Sequence, residues 1–174
     1  LLLFAGSRTA GGTAVLSNNL YAYDPSSRVW SSPAASGGPP PVRFGHSSCY
    51  DSNNKRMIYF GGQDTGTPPF RSDVWMFNVQ TSAWSQPTIS GGIDGRVGAF
   101  AGWSPGNTRM YVLGGYTQAS GATLQLYELV FTSPTAATWN SIATHQFGTP
   151  KSIVSGAAAF DLVGERFLTA PPSQ

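Results

Sequence analysis

Charge is scarce in this chain. Asp, Glu, Lys and Arg make up 10% of its 174 residues, against about 25% in an average soluble domain. The formal net charge is +2 and no run of Lys or Arg occurs, so the electrostatic footprint of a nucleic-acid binder is missing. Cysteine occurs once, at Cys49, which excludes an internal disulfide and any cysteine-rich metal site. That thiol stands among small residues and reads as a buried, inert group rather than a nucleophile. Two histidines, His46 and His145, add too few donors for the three or four converging ligands of a zinc or copper centre. No apolar run reaches the roughly 18 residues that a membrane-spanning helix needs. No stretch has helical periodicity, so a glycine-rich phosphate loop opening a helix is excluded too.

What is plentiful argues for a packed, turn-rich fold. Hydrophobic residues make up 40% and aromatics 13% of the chain, with 21 glycines and 13 prolines. That is enough apolar surface to build a core, so disorder is not expected. The stretch from Arg43 to Gln63 sets the pattern. Phe44–Tyr50 and Arg56–Phe60 read as extended runs, and Asp51-Ser-Asn-Asn54 between them bends the backbone. Gly61-Gly62 then ends the second run.

This layout recurs. Arg96 to Tyr116 has the same small-residue run, turn, Arg109-Met110, apolar run and Gly114-Gly115. Ser155 to Thr169 repeats its first half, and Leu1 to Gly6 resembles its tail. Gly62 and Gly115 stand 53 residues apart, and Trp30, Trp84 and Trp139 are 54 and 55 apart. A period near 50 implies an array, solenoid or propeller. In the third copy, Tyr127 precedes its Trp by 12 residues rather than 9, a small insertion.

The expected strands are Leu1–Gly6, Leu20–Asp24 and Val29–Ser32; then Phe44–Tyr50, Arg56–Phe60, Asp73–Val79 and Ala83–Gln86. A third set covers Ala99–Trp103, Arg109–Leu113, Leu124–Phe131 and Thr138–Ile142. Long loops are expected at Ser7–Asn18, Gln63–Ser72, Pro87–Gly95, Tyr116–Thr123 and Thr144–Lys151. Pro33–Val42 lacks N–H donors at four positions and reads as a linker. The predicted organisation is the end of one blade (1–32), a second blade (43–86), a third (96–142) and the start of a fourth (151–174). Four short strands per 50-odd residues form an all-β, four-stranded antiparallel blade. The first strand of each unit is small (Ser47, Ser48, Ala99, Ala101, Gly102, Ala157–Ala159), as strands crowding an axis must be. The last carries the Trp, where the rim has volume to fill.

Tyr23-Asp24-Pro25 with Trp30, Arg43-x-Gly45-His46, Phe60-Gly61-Gly62 and Leu113-Gly114-Gly115 resemble the kelch repeat. The resemblance covers nearly the whole chain: two full repeats flanked by two partial ones. It implies a partial kelch β-propeller, with the remaining blades supplied by a longer parent chain or by another copy. Departures are Ala5-Gly6 for the glycine pair in the first copy, Ala99 in place of the His in the third, and Thr169-Ala170 in the fourth.

In such blades the loop after the second strand and the loop to the next blade emerge on one face, where rigid scaffolds carry function. Arg8, Phe70, Arg71, Ile93, Asp94 and Arg96 fall there, with Arg43 near the mouth of the central channel. Phe70-Arg71 has the composition of an interface hot spot; the other reading is a solvated loop whose Phe70 packs on its own prolines. Arg56, Arg109 and Arg166 recur on the opposite face and are expected to brace the turns, as Asp51 and Asp161 are. His46 is expected to be a satisfied strand residue.

The expected function is a non-catalytic scaffold engaging a protein, or a glycan, without metal or cofactor. Copper enzymes of the galactose-oxidase kind also use kelch propellers, and no ligand set here matches theirs residue by residue. That alternative would place the metal site outside this stretch. A third reading is a structural component of an extracellular wall or filament, in keeping with low charge and 36 Ser plus Thr. Low charge leans the location towards the cell exterior.

Overall fold

The computed structural model describes residues 1–10, 13–142, 158–161, 164 and 166–169. Among these, all regular structure is β. The first sheet pairs β1 (Leu2–Ala10), β2 (Thr13–Asp24) and β3 (Val29–Ser31) in that order. The second runs β4 (Ser47–Asp51), β5 (Arg56–Phe60), β6 (Val74–Asn78) and β7 (Ala83–Ser85), all antiparallel.

Next in the chain come β8 (Thr88–Ser90), β9 (Arg96–Val97), β10 (Phe100–Ser104), β11 (Arg109–Leu113), β12 (Tyr116–Thr117), β13 (Gly121–Ala122), β14 (Leu126–Ser133) and β15 (Ala136–Ile142). The third sheet has the order β10-β11-β14-β15-β8, and β13-β12-β9 form a small sheet of their own. A last hairpin joins β16 (Ala158–Asp161) to β17 (Arg166–Thr169).

Three expectations are corrected. Tyr116–Thr123 is a small hairpin rather than a loop, Tyr116–Thr117 pairing with Gly121–Ala122. Ser7–Asn18 is not a loop: β1 and β2 continue as a two-stranded hairpin beyond a bulge between Phe4 and Gly6. Thr9, Thr13 and Val15 suit an extended backbone, but this arm has no buried face to print an apolar alternation into the sequence. Pro87–Gly95 is not all loop either. Its Thr88–Ser90 adds a fifth strand, parallel to Ala136–Thr138, at the rim of the third sheet. The insertion before Trp139 is absorbed by a longer β14–β15 hairpin with a bulge between Phe131 and Ser133.

The sheets stack face to face around their first strands. β4 lies against β10, and β10 against β16. Small residues allow that approach: a Cβ on Gly102 would fall 2.2 Å from the Phe160 ring, and the Ser47 hydroxyl reaches the Ala99 carbonyl at 2.7 Å. Bulk grows outwards. Trp84 sits between the first and second sheets with Phe4, Leu20, Tyr59 and Phe77. Trp139 sits between the second and third, its ring 5.0 Å from Phe60. Each tryptophan therefore closes a different interface, and burying each aromatic contributes about 1.5–3 kcal/mol. Trp30, one repeat earlier, remains 50% exposed, with the Tyr23 ring 5.1 Å away.

The doubled glycines mark where the second strand of each sheet runs out into its long loop. Gly61 and Gly62 have φ of 70° and 94°, Gly114 and Gly115 71° and 92°, a left-handed backbone that glycine adopts without steric cost. A Cβ on Gly61 would also come within 2.7 Å of the Arg96 carbonyl oxygen. In the first sheet Ala5 takes φ 60° at the matching place.

Candidate functional site

The loops after β5 and β11 lie side by side on one face and are knitted by backbone bonds. Gly62 donates to Arg96 O (2.8 Å), Arg71 to Gly62 O (2.9 Å) and Arg96 to Arg71 O (3.2 Å). Tyr116 and Thr117 then pair with Val97 and Arg96. This brings Phe70 against Tyr116, edge to face at 5.8 Å between ring centres. Tyr116 is 44% exposed and Phe70 half-buried.

Arg71, next to that pair, is held by Asp64 at 2.5 Å, while Asp64 also accepts Gly66 N–H at 2.7 Å. Burial would raise the Asp64 carboxyl pKa, but the bonds from Arg71 and Gly66 outweigh it and hold it below the usual value. Hydrogen bonding to Asp64 raises Arg71 in turn. Asp94 is exposed nearby, and its carbonyl accepts Arg96 Nε at 3.1 Å. Arg8 is exposed on the outer arm of the first hairpin. A recess of about 210 Å³ opens where the second and third sheets meet, with Asp73, Val74, Ile89, Ile93 and Trp139 in its wall.

Arg43 and Arg96 are not part of the exposed surface: they are 2% and 1% accessible. Both act as clasps between sheets. The carbonyl of Arg43 accepts Gly6 N–H at 2.9 Å, and its Nη1 donates to Gly61 O at 2.8 Å. Arg96 repeats the device with Gly62 N–H at 2.8 Å and Gly114 O at 3.1 Å. Arg43 is completed by Asp73, whose carboxyl is held low by Arg43 and Trp75 in spite of burial. Arg96 instead lies over the Tyr127 ring at 4.8 Å, and its Nη2 has no acceptor.

On the tight-turn face the recurring arginines brace turns. Arg56 pairs with Asp51 (2.8 Å), Arg166 with Asp161 (3.1 Å), and Arg109 with Glu128 (2.5 Å) because Ser104 replaces the aspartate. Asp51 also accepts the N–H groups of Asn53 and Asn54, at 3.0 and 3.1 Å, which closes the turn. His46 packs edge-on against Phe4 at 5.6 Å. Burial, aided by the Arg43 charge, lowers its pKa to about 4, so it is neutral at pH 7. Its Nδ1 has no hydrogen-bond partner, which corrects the expectation of a satisfied histidine. Burial pushes the Cys49 thiol pKa up, which keeps it unreactive. His145 and its loop lie outside the described residues. Among the described residues no group of three His, Cys, Asp or Glu could hold a metal, and no helix is long and apolar enough to cross a membrane.

Radially stacked antiparallel sheets, small at the hub and aromatic at the rim, define a β-propeller. The KLHDC2/KLHL20/DRC7 Kelch-repeats domain model matches residues 1–168, and the chain belongs to the kelch-repeat family. Human Kelch domain-containing protein 3 is 31% identical over 115 residues, covering 66% of this chain and 28% of that protein. The mouse Rab9 effector protein with kelch motifs is 30% identical over 89 residues, 51% of this chain and 22% of that one. Dynein regulatory complex subunit 7 of Chlamydomonas reinhardtii is 29% identical over 91 residues, 52% and 8%. The chain thus spans under a third of the length of these relatives. The solved structure of YjhT superimposes with a TM-score of 0.69 at 17% identity, over 90% of this chain and 52% of that one.

Proposed function

We propose that this chain is part of a non-catalytic kelch propeller scaffold that holds a protein partner on its long-loop face. The observation that carries the reading is the Phe70–Tyr116 pair, a partly exposed aromatic patch shared by two adjacent blades, with Arg71 next to Phe70 in the chain and Asp94 exposed on the neighbouring loop. Aromatic and arginine side chains dominate binding hot spots because they bury large, stiff surface on contact. Here the backbone bonds between the loops and the Asp64–Arg71 pair hold the patch before a partner arrives, so little ordering opposes binding.

The recess beside Ile93 gives that face a cavity for a side chain of the partner. Arg43 and Arg96 serve it from below by locking the loop crossings. The names of two relatives, an effector of Rab9 and a subunit of a dynein regulatory complex, fit a role among proteins.

The test is quantitative affinity purification from cells with the parent protein, comparing wild type, Phe70→Ala/Tyr116→Ala, and Lys55→Ala on the opposite face. The reading requires a set of proteins retained by wild type and Lys55→Ala but lost from the aromatic variant.

A further inference from the structure

A second cleft of about 210 Å³ lies on the opposite, tight-turn face, between the second and third sheets. Asn54, Arg56, Asn78, Ser85 and Thr135 bring hydrogen-bonding side chains to its wall, which Met76 and Pro134 complete. Arg56 is 5% accessible, so each of its five donors needs a protein acceptor or a ligand. Nε donates to Asp51 Oδ2 at 2.8 Å. Nη1 donates to Met76 Sδ at 2.8 Å and to the Pro134 carbonyl, and the guanidinium lies over the Phe131 ring at 4.3 Å. Nη2 has no acceptor at all. An unmet charged donor inside a protein costs more than an ordinary missing hydrogen bond.

The neighbouring repeat shows what fits there. Register places Ile58 opposite Met76 in the second sheet and Tyr111 opposite Glu128 in the third. Glu128 supplies Arg109 with a carboxylate at 2.5 Å; at the matching place Arg56 has the Met76 sulfur. The other polar groups suit an acceptor ligand as well. Asn78 Oδ1 is occupied by the N–H groups of Gln80 and Thr81, at 2.9 and 3.0 Å, which leaves its amide NH₂ as the free end. Ser85 and Thr135 add hydroxyls. Asp51 already neutralises one charge and would repel a dianion, while Lys55 stands next to the turn.

We propose that this cleft binds a monoanionic carboxylate group, which takes its bonds from Arg56 Nη2 and the Ser85, Thr135 and Asn78 donors. A volume near 210 Å³ admits a group of acetate or glutamate side-chain size.

The experiment is an NMR titration of the ¹⁵N-labelled protein at pH 7 and constant ionic strength, with acetate and with N-acetyl-glutamate amide, chloride serving as reference. Saturable shifts at Ser85, Thr135 and the Arg56 side chain are expected, with a dissociation constant of about 1–10 mM. Ser85→Ala and Thr135→Val, both at exposed positions, should each weaken binding roughly threefold, and together about tenfold. Arg56→Lys should abolish it; if that variant does not fold, the Ser85/Thr135 pair decides. Equal affinity for the two ligands assigns the site to small free acids, and a tenfold preference for the glutamate derivative assigns it to a protein side chain. Shifts that never saturate, or an unchanged affinity in the double variant, overturn the proposal.

Discussion

Arg43 and Asp73, 30 residues apart in sequence, face each other through two parallel hydrogen bonds of 2.6 and 2.8 Å. Asp73 takes a further bond from Trp75 Nε1 at 2.7 Å. One repeat later the geometry is kept but the charge is not: Arg96 is as buried as Arg43, and Gln125 stands where Asp73 would. Gln125 accepts the Tyr127 hydroxyl at 3.0 Å and gives the guanidinium no countercharge.

Removing the carboxylate from the first pair should therefore be costly. Asp73→Asn leaves Arg43 buried and uncompensated, and an expected loss of about 2–4 kcal/mol should appear in urea unfolding, somewhat below the range for fully enclosed pairs because Asp73 is 29% exposed. The reverse change in the next repeat, Gln125→Asp, should stabilise by about 1 kcal/mol and raise the thermal midpoint by roughly 2–4 °C. A fall in the midpoint would show that Tyr127 alone satisfies Arg96.

Acid should weaken the fold before the carboxylates titrate. The folded protein holds His46 neutral down to about pH 4, whereas an unfolded chain binds the proton near 6.5. Its contribution is complete above pH 6.5 and drains away as the pH falls from 6.5 to 4. Allowing for partial exposure of the ring, the loss is roughly 1–3 kcal/mol. His46→Gln should flatten the stability profile across that window; an undiminished slope would assign it to another group.

The tryptophans separate internal from outward faces. Trp84→Ala empties the space between the first two sheets and should cost about 3–5 kcal/mol. Trp30→Ala should cost under about 1 kcal/mol when the 174 residues are studied alone, since that ring is half exposed. In a parent protein whose next blade covers Leu3, Tyr21 and Trp30, the two costs should converge, and chemical unfolding of both forms reads the difference.

The strands flanked by a tight turn and a glycine pair could be read directly. Arg56–Phe60 and Arg109–Leu113 match β5 and β11 residue for residue, because the turn chemistry and the glycines bracket them on both sides. The outer arm of the β1–β2 hairpin and Thr88–Ser90 were not legible: the arm buries no apolar face, and Thr88–Ser90 turns a single apolar residue, Ile89, to the core, too short a run to show an alternation. On the loop face, Phe70 and Arg71 stood out by composition, but Tyr116, the first residue of the expected loop Tyr116–Thr123, did not, since only the fold brings it against Phe70. Burial of Arg43 and Arg96 had a signal in their 53-residue spacing. The same recurrence already pointed to structural roles for Arg56, Arg109 and Arg166.

The loop face is tested most directly by one binding measurement. With a partner identified by its dependence on the Phe70–Tyr116 patch, its affinity is measured for wild type, Phe70→Ala and Tyr116→Ala by calorimetry, alongside thermal midpoints. A loss of roughly 30-fold or more for each substitution, with the midpoint within a few degrees of wild type, is the predicted result. Unchanged affinity, or a loss that merely tracks unfolding, would contradict it.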